Sequence, residues 1–445
     1  MTDELTIYFK PLGGQTGSEV ERACFADIGL AVGGQWLTLL EDRMASTVSN
    51  YLRGSVHQLA AWFAANWWRL RWEPDTRDWS TNVDWRMAHS VASAGGGFVW
   101  PNVLFASDGA SVAVASRPRV NAAAFEPIRY LNRFDGRITA AEFENKVDTF
   151  MESVISRLRA LEIKDDGLPG LWAEVMAERN DPKSAPCRKL EAMAGYDPDE
   201  APEGLLAKLL EDQNDLGKSA IEEVAAEARH SVNEALQPMR DVSRSQKPKE
   251  GGYRVTIPQL DGTMTDDGDL PWQSAGKLAA RARKEWNLGD KPLLNKRLTD
   301  VLSTTKDVFA GESAPRSKTP FAVRKGKNGK VDVYLHSPIS ANRRFALSRL
   351  IGDHLYFKNG EKLLPATRAG TVRQKFQRAF AQELLCPYTA LLEKLQTEQP
   401  DDDDVAEAAD YFHVSPLLVK TTLVNKGELD RSALAANIQY QAAAA

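Results

Sequence analysis

The stretch that decides the fold is N-R-R-F-A-L-S-R-L-I-G-D-H-L-Y-F, Asn342 to Phe357, read together with R-Q-K-F-Q-R-A-F-A-Q-E-L-L-C-P, Arg373 to Pro387. In the first, Phe345, Leu347, Leu350, Ile351 and Leu355 recur three or four residues apart, the spacing of one helix face. The second repeats that spacing with Phe376, Phe380, Leu384 and Leu385, and Pro387 stops it. Two amphipathic helices are expected, each with one buried face.

Helices of this kind in this order resemble those of the ImmA/IrrE family of zinc metallo-endopeptidases. That family carries R-R-F-T-L-A-H-E-L-G-H on the first helix and E-x-x-A-N-x-F-A-x-x-L-L-M-P on the second. Arg343, Arg344, Phe345, Leu347 and Gly352 match the first motif; Phe380, Ala381, Leu384, Leu385 and Pro387 match the second. The resemblance extends over residues 272 to 427, taking in W-N-L-G-D-K-P-L-L from Trp286 and a hairpin around K-G-K-N-G-K. It implies a zincin-like domain, and for active members the cleavage of transcriptional repressors in stress responses and mobile-element control, from positions near phage-defence loci.

The positions that the resemblance assigns to the metal carry other chemistry. The family His, Glu and His fall on Arg349, Leu350 and Asp353, and the second-helix Glu falls on Gln374. A catalytic zinc takes about three protein ligands and one water, with a carboxylate beside it to accept that water's proton. A guanidinium has no lone pair to offer, and Leu350 is no base. His354 is one residue off register, about 100° around the helix. The sequence therefore reads as a peptidase scaffold without its zinc site, with no catalytic residue and no cofactor. A surviving peptidase would need other ligands, for which His336, Asp353 and His354 are the candidates.

Charge suggests what such a cleft does instead. Between Arg316 and Arg378 lie fifteen basic and three acidic residues, inside a chain of formal net charge -5. Segregation of this kind usually marks a surface that meets something anionic. If the helices cross as in the family, Arg343, Arg344, Arg349, Arg373 and Arg378 line the old cleft, and guanidinium forks suit phosphate. The expected partner is another protein with an acidic segment, or a nucleotide or nucleic acid, at residues 316–378. A plainer reading pairs Arg349 with Asp353 one turn on, locking the helix.

The remaining chain bounds the class. Its 445 residues suggest about three domains. No apolar run approaches the ~20 residues of a membrane span, and M-T-D-E-L-T-I-Y-F is no signal peptide, so a cytoplasmic location without membrane contact is expected. Three distant cysteines imply neither a disulfide framework nor a zinc ribbon. The expected architecture is α+β, predominantly helical and multidomain. It comprises a Trp-rich α+β domain (1–135), a helical domain (136–240), a linker (241–252), a degenerate zincin-like domain (253–398) and a helix-turn-helix-like module (399–445).

Within these, Ser55 to Leu70 reads as one helix, Ser107-Asp108-Gly109 as a hairpin turn, Thr139 to Glu142 as a capping box, and Ser219 to Leu236 as one long helix. His89, in an apolar helix without a partner histidine, reads as structural. The C-terminal module spaces Ala409, Val414, Val419 and Leu423 as a helix-turn-helix does. Eight acidic residues against three basic ones from Asp401 onward favour a packing module over a DNA reader, which needs cations against phosphate.

Overall fold

The computed structural model describes residues 4–75, 82–118, 126–164, 167–261, 270–311, 317–326, 328–357, 361–397 and 399–434. Residues 262–269 and three basic residues of the 316–378 stretch, Arg316, Lys327 and Lys358, lie outside them. The fold is mixed α+β with more helix than strand. Two compact units divide the chain, Met1–Leu206 with Ala369–Thr371, and Ala207–Arg368 with Val372–Ala445. The block 136–240, expected as one helical domain, is thus split between them: the helix Ala140–Ala160 belongs to the first, and Lys218–Ala228 and Val232–Ser243 to the second.

The first unit is built from small antiparallel sheets. Leu5–Pro11 pairs with Phe25–Val32, which also pairs with Leu52–Ser55. Val103–Ser107 and Ser111–Ser116 form the hairpin that the Asp-Gly turn announced, extended by Phe134–Thr139. Asp108 closes its turn by accepting from the amides of Ala110 and Ser111 at 3.0 and 2.7 Å. Thr139 caps the helix Ala140–Ala160 by accepting from Glu142 N, but the reciprocal half of the expected box is absent, because Glu142 accepts from Leu5 N instead.

Trp62, Trp67, Trp68, Trp85, Trp100 and Trp172 are buried. Ser55 to Leu70 is two helices, Val56–Ala65 and Trp67–Trp72, broken at Asn66, whose side chain donates to Trp62 O. Trp62 and Trp68, which fall off the stripe of a single helix, are both buried, at 6% and 4% exposure. Trp67 stacks on Phe143 and meets Trp172 edge-on. His89 is fully buried, its Nδ1 on Phe105 O and its Nε2 against Glu73, with Trp85 stacked on its ring.

The second unit holds a four-stranded antiparallel sheet in the order Gly252–Thr256, Lys330–Tyr334, Phe321–Arg324, Leu363–Pro365. The helices Pro271–Glu285, Ser340–Tyr356 and Val372–Leu385 share one apolar core with it. The two deciding stretches are therefore helices within one or two residues of their expected bounds. Ser219 to Leu236 is again two helices, Lys218–Ala228 and Val232–Ser243, separated by a turn at Arg229, whose φ is 51°. At the C-terminal end, Asp402–Phe412 and Pro416–Lys426 bury Ala409, Val414, Val419 and Leu423. Among the described residues no helix is long and apolar enough to cross a membrane.

Candidate functional site

The helix Ser340–Tyr356 is not half-exposed. Arg343, Arg344, Ala346 to Asp353 and Leu355 are all buried, so about two turns are covered on every side. A helix buried all round carries no solvated face, and each of its polar side chains must find a partner inside the protein. That requirement organises the site.

The helix Val372–Leu385 crosses it closely. A Cβ at Gly352 would stand 2.6 Å from the Phe380 ring. Hydrogen at this position is what lets the two backbones approach. Across this contact run two polar links. Arg373 clasps Asp353 through Nε and Nη2, at 2.8 and 2.7 Å from the two carboxylate oxygens. Arg349 Nη2 donates to Gln374 Oε1 at 2.5 Å, and its guanidinium also meets the carbonyls of Thr367 and Ala366. Gln374 Nε2 in turn donates to Pro365 O at 3.2 Å. Arg349 and Asp353 are thus not partners of one another; each reaches the second helix or its approach.

Electrostatics follow from burial and neighbours. Burial disfavours the Arg373 charge, but the carboxylates of Asp353 and Glu361 outweigh it and hold the guanidinium above its usual range. Burial pushes Arg349 down to about 9, with Arg378 adding repulsion. His354 is pushed down to about 4 by burial and by Arg324, whose Nε donates to its Nδ1 at 3.2 Å. His336 is lowered mainly by burial.

The described residues do not fit a zinc ion. Both oxygens of Asp353 are engaged by one guanidinium, His354 accepts from Arg324, and no three His, Cys, Asp or Glu side chains come together to hold a metal. The candidate set His336, Asp353 and His354 is therefore not assembled.

Nor do the five arginines form the expected open row. Arg343 is 1% exposed and donates to the carbonyls of Val308, Leu335 and Ser337. Arg349 and Arg373 are consumed as above. Only Arg378 is half-buried rather than buried. Arg344, 2% exposed, donates to Asn295 Oδ1 and Leu293 O. A run of positive charge in the sequence is here mostly a set of internal ties.

A further element closes the site. The helix Lys218–Ala228, expected as the start of one long helix in the helical domain, lies against the edge strand Leu363–Pro365. Ser219 N donates to Glu361 and Ser219 Oγ accepts from Arg373, at 2.8 and 2.9 Å. Glu227 accepts from Thr319 Oγ1 and from Arg368 N. No spacing in the sequence announced these contacts, which join residues 92 to 154 positions apart. The chain matches no protein-family model, no curated protein and no solved structure.

Proposed function

We propose that the chain is a catalytically inactive, ImmA/IrrE-like protein that works by binding, as a sensor or interaction protein in the regulation of stress responses, mobile elements or phage defence. The observation that carries this reading is the pair of cross-links between the two helices. Where the resemblance places a metal with its ligands, Arg373 holds Asp353 and Arg349 holds Gln374. Each link joins the same two helices that a shared metal would join, and neither leaves a carboxylate able to take a proton from water. The covering helix Lys218–Ala228 supports the reading independently, since it is tied to the strand edge beside these links.

The five-arginine anion site is narrowed accordingly: a partner or ligand is recognised outside the interior of the helix pair. The direct test incubates the full chain with fluorescent casein, with added zinc and with chelator. The expected result is no cleavage above the protein-free blank in any arm. Chelator-sensitive cleavage by the purified chain would overturn the proposal.

A further inference from the structure

One of the five arginines opens onto a cavity. A space of about 540 Å³ lies where the starts of the helices Asn295–Val301 and Ser340–Tyr356 meet the end of Asp402–Phe412, and Arg344 lines it. Arg344 is 2% exposed, and both of its bonded acceptors, Asn295 Oδ1 and Leu293 O, are neutral. Its Nε has no hydrogen-bond partner, and no carboxylate of the described residues pairs with it. Burial alone lowers it, to about 10. In this unit the buried Arg240 and Arg373 meet carboxylates, while Arg283, Arg343 and Arg349 meet only neutral oxygens; Arg344 differs from these three in lining a cavity. A buried cation without a counter-charge is costly, so this one is poised for a negative group from outside.

The surroundings favour the same occupant. The helix beginning at Ser340 runs seventeen residues, its N-cap Ile339 makes no side-chain cap, and its first turn holds no acid. Its free amide ends and dipole add positive potential at the cavity. Lys296 and His413 supply further donors to the lining. Leu294 and Val414 give it apolar surface. Asp410, exposed and also in the lining, penalises a second negative charge and so disfavours a phosphate dianion.

We propose that this cavity binds a small organic carboxylate, its oxyanion seated on Arg344 and the start of the helix, its apolar body against Leu294 and Val414. The site stands apart from the metal-free reading of the helix pair and does not depend on it.

The test is thermal unfolding of the full chain at constant ionic strength, with sodium hexanoate, inorganic phosphate or chloride. Hexanoate is expected to raise the midpoint in a saturable way, and phosphate to match chloride. Ser340→Glu sets a carboxylate one turn before Arg344, so it should raise the midpoint unaided and weaken hexanoate about tenfold or more, the worth of one charged hydrogen bond. Ala341→Trp, which fills the space from the same turn, should abolish the hexanoate response. No hexanoate shift, a shift with phosphate alone, or a hexanoate shift unchanged in both variants would overturn the proposal.

Discussion

The two ends of the helix Ser340–Tyr356 handle buried charge in opposite ways. Toward its C-terminal end, Asp353 is 0% exposed and faces a two-pronged guanidinium from the neighbouring helix. Toward its N-terminal end, Arg344 is nearly as buried yet faces only neutral oxygens and a cavity. One end has internalised its counter-ion, and the other has left that place to something else. The difference teaches that a local excess of arginine says little until each guanidinium's partner is known.

That contrast sets a ranking of substitutions. Arg373→Met strands the Asp353 carboxylate in the core, and breaking a buried pair in this way costs about 3–5 kcal/mol. Urea denaturation should register it as the largest loss, and a smaller cost than Arg344→Met would invert the comparison. Acid acts at the same end. The folded His354 is held near 4 against an ordinary value of 6.5, so the unfolded chain takes up the proton first. The His354 contribution to stability is complete above about pH 6.5 and is lost toward pH 4, by on the order of 3 kcal/mol. His354→Gln should flatten that part of the unfolding-versus-pH curve.

Closer packing gives an intermediate effect. Gly352→Ala forces a methyl against the Phe380 ring, 2.6 Å away, and such overpacking costs about 1–3 kcal/mol. The smallest change is expected at Arg344→Met. The substitution loses the bonds to Asn295 and Leu293 but also removes a buried cation that has no counter-charge, and the two offset, so about 1 kcal/mol or less is lost in the same urea titration.

Much of this architecture was legible in the chain. The spacing around Leu347, Leu350 and Ile351 and around Phe376 and Phe380 located both central helices, and the Asp-Gly turn at Asp108 located a hairpin. Periodicity reports one preferred face, however, and could not show that the Ser340–Tyr356 helix is enclosed on all sides. It also ran straight through Asn66 and Arg229, because a single residue's backbone angles end a helix without disturbing the apolar rhythm.

At the site, the sequence identified the arginines but not their partners. Carbonyl oxygens at Val308, Leu335 and Thr367 accept guanidinium hydrogen bonds without leaving any trace in composition. The cavity residues Lys296, Arg344 and His413 converge from three separate elements with no shared motif. The same is true of Ser219 and Glu227, whose role depends wholly on long-range folding.

The central claim is that guanidinium cross-links stand where the resemblance puts a metal. The zinc content of the purified full chain, measured by elemental analysis after gel filtration in metal-free buffer, tests it most directly. Far less than one equivalent per chain is expected. One tightly held equivalent, whose removal by chelator lowers the unfolding midpoint, would contradict it.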